Sequence, residues 1–241
     1  MSNLPKGFRA SAIAAGLKSS GALDLTLIVN DGPCFDAAAV YTTNKVVAAP
    51  VIWSREVTKG KLVRAAVLNS GGANACTGPQ GFADTHQTAE KVGDLIGISS
   101  GEVVVCSTGL IGELLPMPKI ISGLESIAST LTTDSLDDVS RAIMTTDSVP
   151  KVATSKLNGV EFAGIAKGAG MLAPALATML SVVMTDAVLP ENAEEIFRRV
   201  ADRTYNRIDS DGCTSTNDTV LLMGSGASGI ELNEAEIETA L

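Results

Sequence analysis

The chain has 241 residues, with 18 Lys and Arg against 27 Asp and Glu, and a formal net charge of −9. Aromatic residues make up 3 % and no run of Lys or Arg occurs, so the clustered cations and stacking rings that nucleic-acid binding draws on are missing. A hydrophobic content of 45 % excludes the composition of disorder, and the length suits roughly one to two domains around a sizeable core.

Taken in chain order, short apolar runs alternate with helical patterns and Gly-rich turns, which indicates a mixed α/β class. Strands are expected over residues 24–30, 37–41, 64–69, 103–107, 160–165, 177–186 and 219–223. Helices are expected where Ile120, Leu124, Ile127 and Leu131 share one face, and where Ser135 and Asp138 form a capping box ahead of Val139 and Ile143. A third follows Pro190, with Ala193, Ile196, Phe197 and Val200 as its inner stripe. Asn233 and Glu236 form a further capping box before Ile237, and the sequence stops at Leu241, which reads as a truncated helical region.

The titratable residues narrow the chemistry. Cys34, Cys76, Cys106 and Cys213 make no CxxC pair, so neither a zinc site nor a disulfide framework is expected. The single histidine, His86, lies in a polar helical segment and reads as a surface residue. Any nucleophilic catalysis therefore needs a base other than imidazole, such as a Lys or the N-terminal amine of a Thr. No window reaches the roughly 18 uncharged apolar residues of a spanning helix, and Lys18 and Ser19 interrupt the Ala-rich stretch after the N-terminus. A reduced, cytoplasmic protein is the expectation, with neither nucleic acid nor membrane as a partner.

Four small-residue segments stand out. Asn69-Ser70-Gly71-Gly72-Ala73-Asn74-Ala75-Cys76-Thr77-Gly78 is either an ordinary Gly/Asn turn or a pocket lined by N–H groups and carboxamides. Ser107-Thr108-Gly109 follows a strand, where glycine lets N–H groups converge as an oxyanion site requires. Thr145-Thr146-Asp147-Ser148-Val149-Pro150-Lys151 fits a helix exit with a Pro-stopped loop. The stretch from Lys167-Gly168-Ala169-Gly170-Met171 to Ala177-Thr178-Met179-Leu180 places two glycines, a lysine and a proline ahead of an apolar strand, without P-loop order. On its own, Thr178 is a β-branched residue at a strand start.

In this order, and with Tyr41-Thr42-Thr43-Asn44, Ala48-Ala49-Pro50-Val51 and the run from Asp211-Gly212-Cys213 to Asp218-Thr219, the segments resemble the ornithine acetyltransferase family, the bifunctional glutamate N-acetyltransferases of arginine biosynthesis. The resemblance covers essentially the whole chain. It implies an αββα sandwich of the N-terminal-nucleophile kind and a self-cleaving precursor. Cleavage between Ala177 and Thr178 would divide it into an α-chain region, 1–177, and the start of a β-chain region, 178–241. Thr178 then gains a free α-amine with a reference pKa of about 7.7–8.0, able to take the proton of its own hydroxyl.

The implied reaction passes the acetyl group of N2-acetylornithine to Thr178 and then to glutamate, giving ornithine and N-acetylglutamate. Thr108 and Gly109 correspond to the oxyanion stabilisers, and Lys167 with Thr145 or Thr146 to substrate contacts, Thr178 itself included. No cofactor is implied, and acetyl-CoA stays open as a second acetyl donor. The implied assembly is a heterotetramer of two α and two β chains. Cys213 stands where the family pattern has an acidic residue, and family chains continue beyond residue 241 with further substrate contacts. Two alternatives remain from sequence alone: a self-cleaving aminopeptidase-like hydrolase on the same scaffold, and an uncleaved, inactive fragment.

Overall fold

A computed structural model describes residues 3–171 and 179–241. Strands β1 (Phe8–Ile13), β2 (Leu25–Asn30), β4 (Ala65–Gly72) and β5 (Val103–Leu110) form one sheet in the order β1-β2-β4-β5. Strands β3 (Ala37–Tyr41), β6 (Lys151–Leu157), β7 (Val160–Lys167), β8 (Leu180–Thr185) and β9 (Thr219–Gly224) form the second, in the order β3-β9-β8-β7-β6. Each sheet holds one parallel pair, β4 with β5 and β8 with β9. Parallel neighbours need a crossover. Helix α2 (Gly78–Ile96) supplies the first and α5 (Ala193–Arg203) the second.

The expected αββα sandwich is the observed architecture, and the period of two in the strands builds it. Ile28, Val104, Val182, Met184 and Leu221 share one cluster between the sheets. Their neighbours in sequence face away: Leu27, Val29, Val103 and Val105 meet α2 and α3 (Met117–Ala128), while Val220 and Leu222 meet α5. Strands with both faces covered read as continuous apolar runs, which is why these were visible in the sequence. Helix α4 (Leu136–Ala142) adds Leu136 and Val139 to the inter-sheet cluster.

The expected stripe of α5 is buried in full, and α3 buries Ile120, Leu124 and Ile127 but ends before Leu131. In α6 (Glu234–Ala240) the capping box of Asn233 and Glu236 is present in both directions. The capping box at Ser135 is not. Its hydroxyl donates instead to the carbonyl of Ala10 on β1, a tertiary partner that outcompetes the local N–H. The strand expected over 177–186 is observed as Leu180–Thr185, and residues 177 and 178 lie outside the described residues.

Three elements were not legible. β1 hides in an Ala-rich stretch, and β6 is a polar, exposed edge strand with no apolar alternation. Helix α1 (Ala49–Thr58) lies along the open edge of β5. There Trp53 Nε1 donates to the Val103 carbonyl at 3.0 Å, and the Ser54 hydroxyl both donates to the carbonyl and accepts from the N–H of Val105. This covers a row of groups that would otherwise invite strand addition. Among the described residues no helix is long and apolar enough to cross a membrane.

Leu124 is wholly buried against the first sheet whereas Leu110 is 57 % exposed. Urea unfolding should therefore show Leu124→Ala losing about 2–5 kcal/mol, with Leu110→Ala within about 0.5 kcal/mol of wild type.

Candidate functional site

The parallel pairing of β4 and β5 sets their C-terminal ends side by side, with Asn69, Ser70 and Gly71 opposite Ser107, Thr108 and Gly109. Gly109 has φ of 133°, and a Cβ there would lie 2.5 Å from the carbonyl carbon of Gly71. Only glycine allows the two backbones to approach this closely. The Ser107 hydroxyl donates to Asn69 Oδ1 at 2.6 Å, and Asn69 Nδ2 donates to the Gly72 carbonyl. Asn217, two residues before β9, donates from one Nδ2 to the carbonyls of both Ala73 and Ser107. One buried carboxamide thus ties together three of the sequence motifs.

From the other sheet comes Lys167, the last residue of β7, whose Nζ donates to Thr108 Oγ1 at 3.0 Å. The lysine is 1 % exposed. Burial pushes its pKa down to about 8, opposed by the charges of Asp147 and Asp218. Asp147 joins two of the motif loops: Oδ1 accepts the N–H of Gly168 and the ammonium of Lys151, and Oδ2 accepts the N–H of Thr145. Burial alone would raise its pKa, but these donors, led by Lys151, hold it below the usual carboxylate range.

Asp218 is completely buried beside the start of β8. Its Oδ1 accepts the N–H of Met179 at 2.9 Å, while Oδ2 makes no hydrogen bond of standard geometry among the described residues. Burial pushes this carboxyl from 3.8 up to about 7, against the pull of the Met179 N–H, the nearby Ser215 and Thr42 hydroxyls and Lys167.

The structure therefore brings Thr108, Gly109 and Lys167 together and fastens the backbone of Thr145 to the same cluster through Asp147. The side chains of Thr145 and Thr146 are exposed at its rim. Ala177 and Thr178, the two residues before Met179, lie outside the described residues. His86 is exposed and packs its ring 4.8 Å from that of Trp53, as a surface histidine. Among the described residues no group of three or more His, Cys, Asp or Glu is placed to hold a metal ion.

Sequence reasoning missed Asn217, Asp147 and Asp218 as site residues. The available signal for Asn217 and Asp218 was a polar run, Thr214-Ser215-Thr216-Asn217-Asp218, set directly against the apolar β9.

A family model described as the ArgJ family matches residues 9–241. The chain belongs to the ArgJ family. Its relatives include an arginine biosynthesis bifunctional protein ArgJ from Streptomyces coelicolor, 57 % identical over 226 residues, which are 93 % of this chain and 59 % of that protein. The chain thus spans about three fifths of the length of such curated ArgJ relatives. Among solved structures, the ornithine acetyltransferase of Mycobacterium tuberculosis complexed with ornithine matches with a TM-score of 0.64 and 44 % identity, over 73 % of this chain and 94 % of that one. An aminopeptidase of Ochrobactrum anthropi, described as a variant of the Ntn hydrolase fold, matches with a TM-score of 0.52 over 93 % of this chain and 75 % of that one. At 11 % identity it shows a shared fold alone.

Two outcomes follow from this geometry. Gly109→Ala forces a Cβ into the Gly71 backbone and should cost about 1–3 kcal/mol of stability in a urea titration. Because the Asp218 carboxyl titrates higher in the fold than unfolded, its stabilising share is full below about pH 4 and is lost as the pH rises through 7. Asp218→Asn should therefore melt roughly 5 °C above wild type at pH 8, with the difference closing towards pH 4.

Proposed function

We propose that this chain carries the acetyl-transfer site of an N-acetylornithine–glutamate acetyltransferase, with Thr178 as nucleophile after self-cleavage at the Ala177–Thr178 bond. The observation that carries the reading is the Lys167–Thr108 hydrogen bond. It joins the oxyanion motif at the end of β5 to the lysine at the end of β7, whose strand partner Leu180 lies two residues after Thr178. The bifunctional ArgJ relatives and the ornithine-bound structure support the choice of substrates.

In this reading the hydroxyl oxygen of Thr178 bonds to the acetyl carbon of N2-acetylornithine, and the bond from that carbon to the ornithine nitrogen breaks. The hydroxyl proton moves to the α-amine of Thr178 and on to the departing nitrogen. Donors at Thr108 and Gly109 stabilise the oxyanion between these events. Glutamate then reverses the sequence, leaving as N-acetylglutamate. Lys167, still mostly protonated at pH 7, suits the α-carboxylate that both amino acids share. Residues 1–177 form the α-chain region and 178–241 open the β-chain region, in a cytoplasmic assembly of two α and two β chains, with acetyl-CoA as a further acetyl donor and no bound cofactor.

Intact-mass measurement under denaturing conditions should give two polypeptides, the second beginning at Thr178. With N2-acetylornithine and glutamate the protein should release ornithine and form N-acetylglutamate. Thr178→Ala abolishes both results, and Thr108→Val slows turnover by about 10²–10³. A single uncut mass, or ornithine release that survives Thr178→Ala, overturns the mechanism. Acetate release at the same rate with and without glutamate points to a hydrolase instead.

A further inference from the structure

We propose that Asn217 is the positioning residue of the oxyanion site: its carboxamide holds the backbone on both flanks of Gly109 and so keeps the Gly109 N–H directed out of the β5 edge. The inference rests on the functional reading above and adds a residue to it. The edge of β5 that faces away from β4 is covered at every second residue. Trp53 holds the Val103 carbonyl, Ser54 the carbonyl and N–H of Val105, and Asn217 the Ser107 carbonyl. Backbone groups alternate between the two sides of a strand, so the next residue in this row is Gly109. Thr108 is buried and Gly109 is exposed, at the point where the row opens to solvent.

One carboxamide reaches both flanks of that glycine. Asn217 Nδ2 donates to the Ser107 carbonyl at 2.9 Å and to the Ala73 carbonyl at 2.6 Å. The Ser107 carbonyl shares a planar peptide unit with the Thr108 N–H, so holding one fixes the direction of the other. On the far flank, Ala73 donates its own N–H to the Leu110 carbonyl at 2.8 Å. The Thr108 side chain is held separately, by Lys167. Between these holds lies Gly109, with φ of 133° and the backbone freedom of a residue without Cβ. The direction of its N–H is therefore set by its neighbours.

The carboxamide is itself fixed. Asn217 is 5 % exposed, its Oδ1 accepts the Thr216 hydroxyl, and its backbone N–H donates to the Ser215 hydroxyl. Two carbonyls face Nδ2, and only a donor suits them, which sets the orientation of the amide. The donors at Thr108 and Gly109 are thus arranged before any substrate arrives, which is the condition for stabilising an oxyanion without reorganisation at the moment of reaction. A donor that gains strength only as the acetyl carbonyl becomes an oxyanion contributes to kcat and leaves KM alone.

The test follows ornithine release from N2-acetylornithine, and from its analogue with sulfur in place of the acetyl oxygen, with glutamate as acceptor. Asn217→Asp keeps the shape but turns an oxygen towards the two carbonyls. Its kcat should fall about 10²-fold, with KM for N2-acetylornithine within about twofold of wild type. The preference for oxygen over sulfur in kcat/KM should narrow about tenfold, because donors no longer held at oxygen distance discriminate less. Thr216→Val, which removes only the hydroxyl on Oδ1, should lower kcat about 3–10-fold and narrow the same ratio, and it decides the matter where Asn217→Asp does not fold. A purely structural role would lower the melting temperature and scale both substrates equally. An oxygen-to-sulfur ratio unchanged in the folded variants overturns the positioning role and leaves the functional reading standing. A wild-type chain that releases no ornithine overturns both.

Discussion

Both sheets bury a face in one shared apolar layer, and that layer dictates where polar chemistry can enter. Ile28, Val104, Val182 and Leu221 close the space between the sheets, so a charged group can reach the interior only where strands end. The parallel pairs β4/β5 and β8/β9 each bring two strand ends to one level. Asn217, just ahead of β9, bonds the carbonyls of Ala73 and Ser107 and locks the end of one sheet to the start of a strand in the other. The site is a consequence of closing the sandwich.

Buried charge at that edge is tolerated through compensation. Lys167, Asp147 and Asp218 interact as one group, and each also holds a hydrogen bond from or to a motif residue: Thr108 for Lys167, Gly168 and Thr145 for Asp147, Met179 for Asp218. Burial drives the lysine and Asp218 towards their neutral forms, which places both titrations near neutrality, where proton transfer is most useful. Asp147, with three donors, stays ionised and anchors the arrangement. The Asp218 carboxyl, wholly buried, is held by the Met179 N–H and flanked by the Ser215 and Thr42 hydroxyls.

The fold does not choose the reaction. An aminopeptidase with 11 % identity shares it, which shows how far the same two-sheet scaffold extends beyond any one chemistry. The ArgJ family match runs over residues 9–241, through the strands, helices and loops alike. At Gly109, glycine is required by the approach of Gly71 across the β4/β5 pair.

The apolar runs of β2, β5, β8 and β9, the inner stripe of α5 and the cap of α6 were legible because each signal is local: period, propensity and cap all lie within a few residues. The motif order was legible too, and the structure brings Thr108, Gly109 and Lys167 of those motifs together. Tertiary structure alone decided that Ser135 bonds Ala10 rather than its own helix, that α1 covers the edge of β5, and that Asn217, Asp147 and Asp218 belong to the site. Those outcomes depend on partners far away in the chain, and a side chain's affinity for a distant carbonyl or ammonium leaves no periodic trace in sequence. The residue types were set by the sequence, whereas which groups were left buried, paired or unpaired was settled by the packing of two sheets against each other.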